Sequence, residues 1–96
     1  MDKLLIIGSG SQARYVIDIV REKGNCRIVG IADIEQKQEP GKAVNGVKVT
    51  CFLDDVPAIY SPRDCRIMIA YGKNGKKRAI AEALEKKGFK FSLVQI

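Results

Sequence analysis

Two glycines near the start of the chain are spaced in a way that lets a backbone bind phosphate. The run Gly8-Ser9-Gly10-Ser11-Gln12-Ala13 has the form G-x-G-x-x-G/A. In this pattern the glycines allow a tight turn and close approach of a phosphate, and the free amides of the following helix face the anion. The spacing therefore predicts an anion-binding turn, with a purely structural strand-to-helix turn as the alternative interpretation.

A carboxylate follows the glycines at the distance expected for a contact with ribose. Asp33 ends an apolar segment about 20 residues after the turn, where an acidic residue commonly binds a ribose hydroxyl. The same residue could instead be a solvated loop carboxylate or a helix cap. Asp33 is therefore a candidate ligand contact with a structural alternative.

A second glycine turn carries a high density of positive charge. It runs through Gly72-Lys73-Asn74-Gly75, and Lys76, Lys77 and Arg78 follow at the predicted start of a helix. Cations at a helix N-terminus oppose the macrodipole by about 0.3–1 kcal/mol each. A bound anion would relieve this conflict, but a solvated basic helix face is also consistent with it because salt screens the penalty.

The residue types needed for catalysis or metal binding do not form a set. The sequence contains no histidine, and no serine or cysteine stands beside a candidate base. Cys26, Cys51 and Cys65 lack CxxC spacing, so we interpret them as reduced, buried, structural thiols. The adjacent Asp54 and Asp55 fit helix capping better than acid–base chemistry. We expect no catalytic residue and no metal in this chain.

Length and composition indicate one globular domain. With 96 residues, 46% of them hydrophobic and 29% charged, the chain can build a single core. It has no apolar run long enough to cross a bilayer and no cleavable signal pattern, so we expect a cytoplasmic protein without a membrane partner. The net charge of +6 comes from cations interleaved with acids, and the aromatic residues form no stacking platform, which argues against nucleic acid.

Alternating apolar and amphipathic segments must position the candidate residues. Apolar segments predict strands at residues 3–7, 26–33, 65–72 and 89–96. Helical spacing predicts one helix after the first glycine turn, ending at Gly24, and another over residues 74–87, ending at Gly88. Between them, Asn45-Gly46 predicts a tight hairpin turn or a short edge strand, and residues 53–60 a short, imperfect helix.

The order of these elements predicts the fold class. It is α/β, a single Rossmann-like three-layer domain over residues 1–96, with helices on both faces of a mainly parallel sheet. In such sheets ligands bind beyond the carboxyl ends of the strands, where the strand order reverses. Both glycine turns and Asp33 follow predicted strands, so the fold should bring them to that edge.

Several segments occur together in the order found in one protein family. They are Lys3 to Gly10, Ala13-Arg14, Ile28 to Asp33, Gly41-Lys42, Asn45 to Val49, and Ile69 to Asn74 with Arg78. Over essentially the whole chain this order resembles the N-terminal domain of NeuD/PglD-type sugar acyltransferases, which act on sialic acid or UDP-linked amino sugars. The chain departs from the family at Gln12, where histidine is usual, and at Ile34, where a second acid is common.

The resemblance implies a Rossmann-like domain that binds a nucleotide sugar, with a UDP-linked amino sugar as the expected partner. It places Asp33 near the uridine. It places Gly8, Ser9, Gly10 and Ser11 along the phosphates, and Gly72, Lys73 and Asn74 on the facing wall. Gln12, Ala13 and Ala70 are further candidate binding residues. It also implies a second domain, a left-handed β-helix that binds acetyl-CoA, carries the catalytic histidine and forms a homotrimer. That domain is absent from this sequence, so we expect the chain alone to hold no cofactor and not to catalyse acetyl transfer.

Two other functions fit the same residues. The first glycine turn and Asp33 also suit an NAD(P)-binding module of a reductase or regulator, although the chain is short for a full dinucleotide fold. A non-binding assembly domain would use the glycines for structure alone. In that case the side chain of Ser9 or Ser11 would fill the turn, with no open pocket between Gly10 and Gly72.

Overall fold

Strands and helices follow one another in the predicted order. The computed structural model describes residues 2–24, 26–34, 41–71 and 74–91, residue 74 by its backbone alone. In chain order the elements are β1 Asp2–Ile7, α1 Ser11–Lys23, β2 Cys26–Asp33, β3 Ala43–Val44, β4 Val47–Phe52, α2 Val56–Ile59, β5 Arg66–Ile69 and α3 Asn74–Lys86. A 3₁₀ turn at Leu53–Asp55 leads directly into α2.

β1 is an inner strand of a five-stranded sheet with the order β3-β4-β2-β1-β5. It pairs in parallel with both β2 and β5, and its residues 4–7 are buried because helices cover both faces. β4 continues the parallel part beyond β2, whereas the two-residue β3 is antiparallel to β4. The chain builds outward from β1 through β2 and β4 and then returns to β5 on the other side. The strand order therefore reverses between β1 and β5, which is where ligands bind in open α/β sheets.

Successive residues of β1 belong to cores on opposite faces of the sheet. Leu4 and Ile6 pack with the buried stripe of α1, whereas Leu5 and Ile7 pack with residues of α2 and α3. The stripe of α1 has helical spacing and consists of Ala13, Val16, Ile17 and Val20. These two cores confirm the predicted α/β three-layer domain. Within the described ranges, no helix has the length and apolar character required to cross a bilayer.

The predicted end of α1 and the predicted hairpin are both observed. Gly24 adopts φ 68°, and its N–H donates to the carbonyl of Val20 at 2.9 Å. Asn45 and Gly46, with φ of 47° and 83°, form the turn between β3 and β4. Two positive φ values are what the commonest two-residue hairpin turn requires. The Asn45 side-chain amide donates to the Asp18 carboxylate at 3.3 Å, which holds the hairpin against α1.

The segment 53–60 is not one helix. It divides into the 3₁₀ turn and the single turn of α2, with Pro57 in the first turn of α2. Proline lacks an N–H and is tolerated only at the start of a helix, so α2 has to begin beside it. Asp55 occupies the N-cap position of α2, as the capping interpretation predicts, but its side chain makes no capping hydrogen bond.

Two further predictions differ in their detail. β5 ends at Ile69, short of the predicted residue 72, and Phe91 forms a single parallel bridge with Ile67 where a last strand is predicted. Residues 92–96 of that strand lie outside the described residues. Cys51 and Cys65 are buried free thiols, but Cys26 is only half-buried. The prediction of burial is wrong for Cys26 because it begins β2, whose exposed and half-buried residues precede its buried end.

Gly30, inside β2, is predicted to be essential for packing. A Cβ at this position would lie 2.7 Å from both the Thr50 Cγ2 and the Tyr60 hydroxyl, and those two side chains share a 2.6 Å hydrogen bond. We expect Gly30→Ala to lower the free energy of unfolding by about 1–3 kcal/mol, since overpacking forces neighbours to move. Urea unfolding measures the change. Gly75→Ala is the control, because its Cβ meets nothing within 4 Å, and an equal loss in both variants would contradict the prediction.

Candidate functional site

Gly8 sets the path of the first turn. Its φ is 117°, its N–H donates to the carbonyl of Ala32 at 2.7 Å, and a Cβ built on it would overlap the backbone carbonyl oxygen of Ala70. On the other side, the Ala70 N–H donates to the carbonyl of Ile7 at 2.8 Å. The glycine thus lets the ends of β1, β2 and β5 converge. Its role is structural and positions the rest of the turn.

Gly10 stands where a ligand could approach. It is the N-cap of α1, with φ −85° and no side-chain cap, and a Cβ there would meet nothing within 4 Å. The first intrahelical bonds run from the amides of Ala13 and Arg14 to the Gly10 carbonyl, so the amides before them have no intrahelical partner. The first turn of α1 also contains no acidic residue. This helix end can therefore accept an anion.

Ser9 and Asp33 form a hydrogen bond that joins the turn to the end of β2. The Ser9 hydroxyl donates to Oδ1 of Asp33 at 2.6 Å, and Asp33 is only 2% exposed. The alternative interpretation of Asp33 as a solvated loop carboxylate is therefore wrong. Ser9 turns its side chain inward, as the assembly alternative requires, and Gly10 faces open space. The other part of that alternative concerns a pocket reaching Gly72, which lies outside the described residues. The bond fixes an acceptor group at the carboxyl end of β2, beside the N-terminus of α1.

An open groove lies between α1 and β5, at the reversal of the strand order. It has a volume of about 530 Å³. Its lining consists of Ser11, Gln12, Tyr15, Val16, Met68, Ile69, Ala70 and Lys77. Small-molecule sites commonly measure about 300–1,000 Å³ and combine an apolar floor with a few polar groups. The groove meets this description and adjoins the N-terminus of α1 through Ser11 and Gln12.

The cations at the start of α3 have different surroundings. The Lys76 ammonium lies 5.7 Å from the centroid of the Tyr71 ring, a cation–π contact that offsets part of the unfavourable helix dipole. Lys77 instead lines the groove beside α1. Within the predicted basic cluster, Lys76 is therefore held by the Tyr71 ring, whereas Lys77 faces the candidate site.

The structure brings most of the predicted site residues together. The first turn, Asp33 and Ala70 meet at one edge of the sheet, whereas Gly72 and Lys73 lie outside the described residues. Asn74 begins α3. The sequence analysis did not single out Tyr15, which lines the groove. The sequence does contain an indication, because Tyr15 is an aromatic residue outside the buried apolar stripe of α1. In the structure its side chain is 63% exposed at the rim of the groove.

Neither a metal-binding cluster nor a thiol at the groove is found among the described residues. No group of three or more histidine, cysteine, aspartate or glutamate side chains in these ranges could hold a metal ion. Burial raises the pKa of the Cys51 and Cys65 thiols above the ordinary value of 9.0. Both are therefore protonated near neutral pH and are poor nucleophiles. Among its described residues the candidate site therefore offers an unobstructed helix N-terminus and polar side chains, and no thiol.

The buried thiols and the Tyr60 hydroxyl predict a loss of stability at alkaline pH. Burial is the main cause that raises the pKa of Tyr60 above 10.0 and of both thiols above 9.0. The unfolded chain releases these protons from about pH 8.5 upward while the folded chain keeps them, so the free energy of unfolding falls as the pH rises. Urea midpoints measured from about pH 7 to about pH 10 test this. A midpoint that stays constant over this range would contradict it.

Comparison with known proteins gives a consistent result. A family model described as the PglD N-terminal domain matches residues 3–84. Among solved structures, PerB from Caulobacter crescentus, in complex with CoA and GDP-perosamine, is 26% identical with a TM-score of 0.72 over 93% of this chain and 40% of that chain. A mutant perosamine N-acetyltransferase from the same organism and with the same ligands is 27% identical, with a TM-score of 0.73 and the same coverage.

A third solved structure is the acetyltransferase domain of PglB from Neisseria gonorrhoeae, in complex with acetyl coenzyme A. It is 26% identical, with a TM-score of 0.74 over 91% of this chain and 40% of that chain. A search of curated proteins gives no match. The chain therefore spans about 40% of the length of the solved proteins that it resembles.

Proposed function

The chain belongs to the PglD N-terminal domain family, and from that premise we propose that it is the nucleotide-sugar-binding domain of an acetyl-CoA-dependent sugar acetyltransferase. The observation that carries the proposal is the uncapped, unobstructed N-terminus of α1 at Gly10, beside the reversal of the strand order. A diphosphate is the part of a nucleotide sugar that suits this helix end. Two of the similar solved proteins hold GDP-perosamine, a nucleotide-linked sugar.

In this proposal the ligand lies across the carboxyl ends of three strands. The amides at the start of α1 bind the diphosphate, with Ser11 and Gln12 beside it. The nucleoside extends toward Asp33, at the end of β2, which is where an acid meets ribose in Rossmann dinucleotide sites. Ser9 holds the Asp33 carboxylate in place. The expectation from the family resemblance is a UDP-linked amino sugar.

In this proposal the residues of the chain bind and orient the nucleotide sugar. Acetyl transfer needs further groups that they do not supply. The sequence has no histidine, and of the described thiols Cys51 and Cys65 are buried and Cys26 is half-buried. We therefore assign acetyl-CoA binding, the catalytic histidine and trimer formation to a left-handed β-helix in the parent protein. Similar solved proteins hold CoA or acetyl coenzyme A, which supports acetyl-CoA as the donor in the parent protein. Cytoplasmic location remains a prediction.

Isothermal titration of the chain with UDP, GDP, UDP-N-acetylglucosamine, GDP-mannose and NAD tests the proposal. We expect either UDP and UDP-N-acetylglucosamine or GDP and GDP-mannose to bind, and we expect NAD not to bind. Binding of NAD alone would replace the proposal with a dinucleotide-binding module. Binding of none of the five would overturn it in favour of an assembly domain.

A further inference from the structure

The groove between α1 and β5 combines an aromatic ring with a cation. Tyr15 is 63% exposed although most large apolar side chains of the described residues are at least half-buried, and it lines the groove together with Lys77 of α3. Val16, Met68 and Ala70 provide apolar lining, and Gln12 adds an amide that can donate and accept hydrogen bonds. A ligand with an apolar face and polar edges fits this lining.

The strand order determines which part of the ligand can reach this groove. β1 separates β2 from β5, and the anion-binding end of α1 follows β1. A diphosphate held there has one end directed toward Asp33 beyond β2 and the other directed toward β5. Because the nucleoside is assigned to the Asp33 side, the sugar must leave on the β5 side. The groove lies on that side and shares Ser11 and Gln12 with the turn.

We propose that the groove is the subsite for the glycosyl group, in which the Tyr15 ring packs against the sugar and the Lys77 ammonium pairs with the phosphate that carries it. This assignment rests on the proposed function. A tyrosine ring offers an apolar face and a polar tip, which suits a sugar ring with C–H faces and hydroxyl edges. The lysine ammonium is a mobile point charge on a flexible stem, suited to a phosphate oxygen.

The charge of Lys77 also restricts the sugar. A free amino group on the sugar is an ammonium at neutral pH and would be repelled by a second cation nearby. We therefore expect an amino sugar to bind with its nitrogen away from Lys77.

Titration with ligands of increasing length tests the assignment. The probes are UMP, UDP and UDP-N-acetylglucosamine, and GMP, GDP and GDP-mannose, each measured by calorimetry on the chain and its variants. The test variants are Tyr15→Ala, Tyr15→Phe and Lys77→Met. Ile59→Ala is a matched control because Ile59 is also a large, exposed apolar residue, 54% exposed, and is not part of the groove lining. Lys86→Met removes the same charge from the last turn of α3.

The two residues should affect different steps of the series. We expect Tyr15→Ala to weaken binding of the nucleotide sugar by about fivefold and to leave the diphosphate unchanged, with Tyr15→Phe close to wild type. Lys77→Met should weaken the diphosphate and the nucleotide sugar alike, by about threefold, and spare the monophosphate. Both controls should bind like the wild type.

Other results would overturn the assignment. An equal loss with mono- and diphosphate in Tyr15→Ala would place the ring against the base, and wild-type affinity in both Tyr15→Ala and Lys77→Met would exclude the groove. If the wild-type chain binds neither the uridine nor the guanosine series, this result would overturn the proposed function, and the assignment of the groove with it. Thermal melting of each variant identifies any loss that comes from unfolding.

Discussion

Replacement of Gly8 by alanine is expected to lower the free energy of unfolding by about 3 kcal/mol or more. A left-handed backbone costs a residue with a Cβ about 1–2 kcal/mol, and overpacking adds about 1–3 kcal/mol. Both apply, since φ is 117° and the new Cβ would overlap the Ala70 carbonyl oxygen. That oxygen belongs to the backbone at the end of β5, so it cannot move without disturbing the sheet. Such a loss is a large fraction of the stability of a small domain.

Gly41→Ala is the matched control for this prediction. Its φ is 97°, but a Cβ there would meet nothing within 4 Å, so it carries the backbone strain without the overlap. Urea unfolding of the two variants separates the two costs. If Gly8→Ala were no less stable than Gly41→Ala, the close approach of the first turn to Ala70 would be refuted.

Gly10→Val is expected to weaken binding of the nucleoside diphosphate at least about tenfold, which corresponds to about 1.4 kcal/mol, while the domain stays folded. The added side chain would occupy the space over the end of α1 through which a phosphate reaches the amides. The backbone should tolerate valine, because φ is −85° and no atom lies within 4 Å of the new Cβ. Loss of glycine as the N-cap should cost about 1 kcal/mol of stability.

Calorimetric affinity and thermal melting, measured on the same samples, check this expectation. Gly10→Ala should give an intermediate affinity because its side chain is smaller. Ala43→Val, a β-branched substitution at an exposed residue of β3, should change neither quantity appreciably. Wild-type affinity in folded Gly10→Val would show that phosphate does not bind at this helix end.

The sequence was sufficient to predict the elements whose signals are local. The apolar run of β1, the helical spacing of α1 with Gly24 at its end, and the Asn45-Gly46 turn each depend on residues a few positions apart. Helix periodicity and turn chemistry act over that range. The fold class followed from the order of these elements, because parallel strands require crossover connections.

Features that depend on distant residues were not predictable in the same way. The burial of Asp33 and its bond with Ser9, the crowding of Gly30 by Thr50, and the meeting of Tyr15 with Lys77 all arise from tertiary packing. Spacing assigned both glycines of the first turn to ligand approach. The packing shows that the two glycines have different roles. Gly8 has to be glycine because the Ala70 backbone leaves no room for a Cβ, whereas Gly10 faces open space.

The parallel pairing of β1 with β5 has a consequence during synthesis on the ribosome. Leu4 pairs with Arg66, so the strand that is made first must wait for about 60 further residues before its second edge is covered. At about 5–20 residues per second this interval lasts about 3–12 s. During it, one edge of a strongly apolar strand has unpaired N–H and C=O groups that can pair with another chain. Released chains that end before Arg66 should therefore aggregate more readily than chains that extend beyond Phe91.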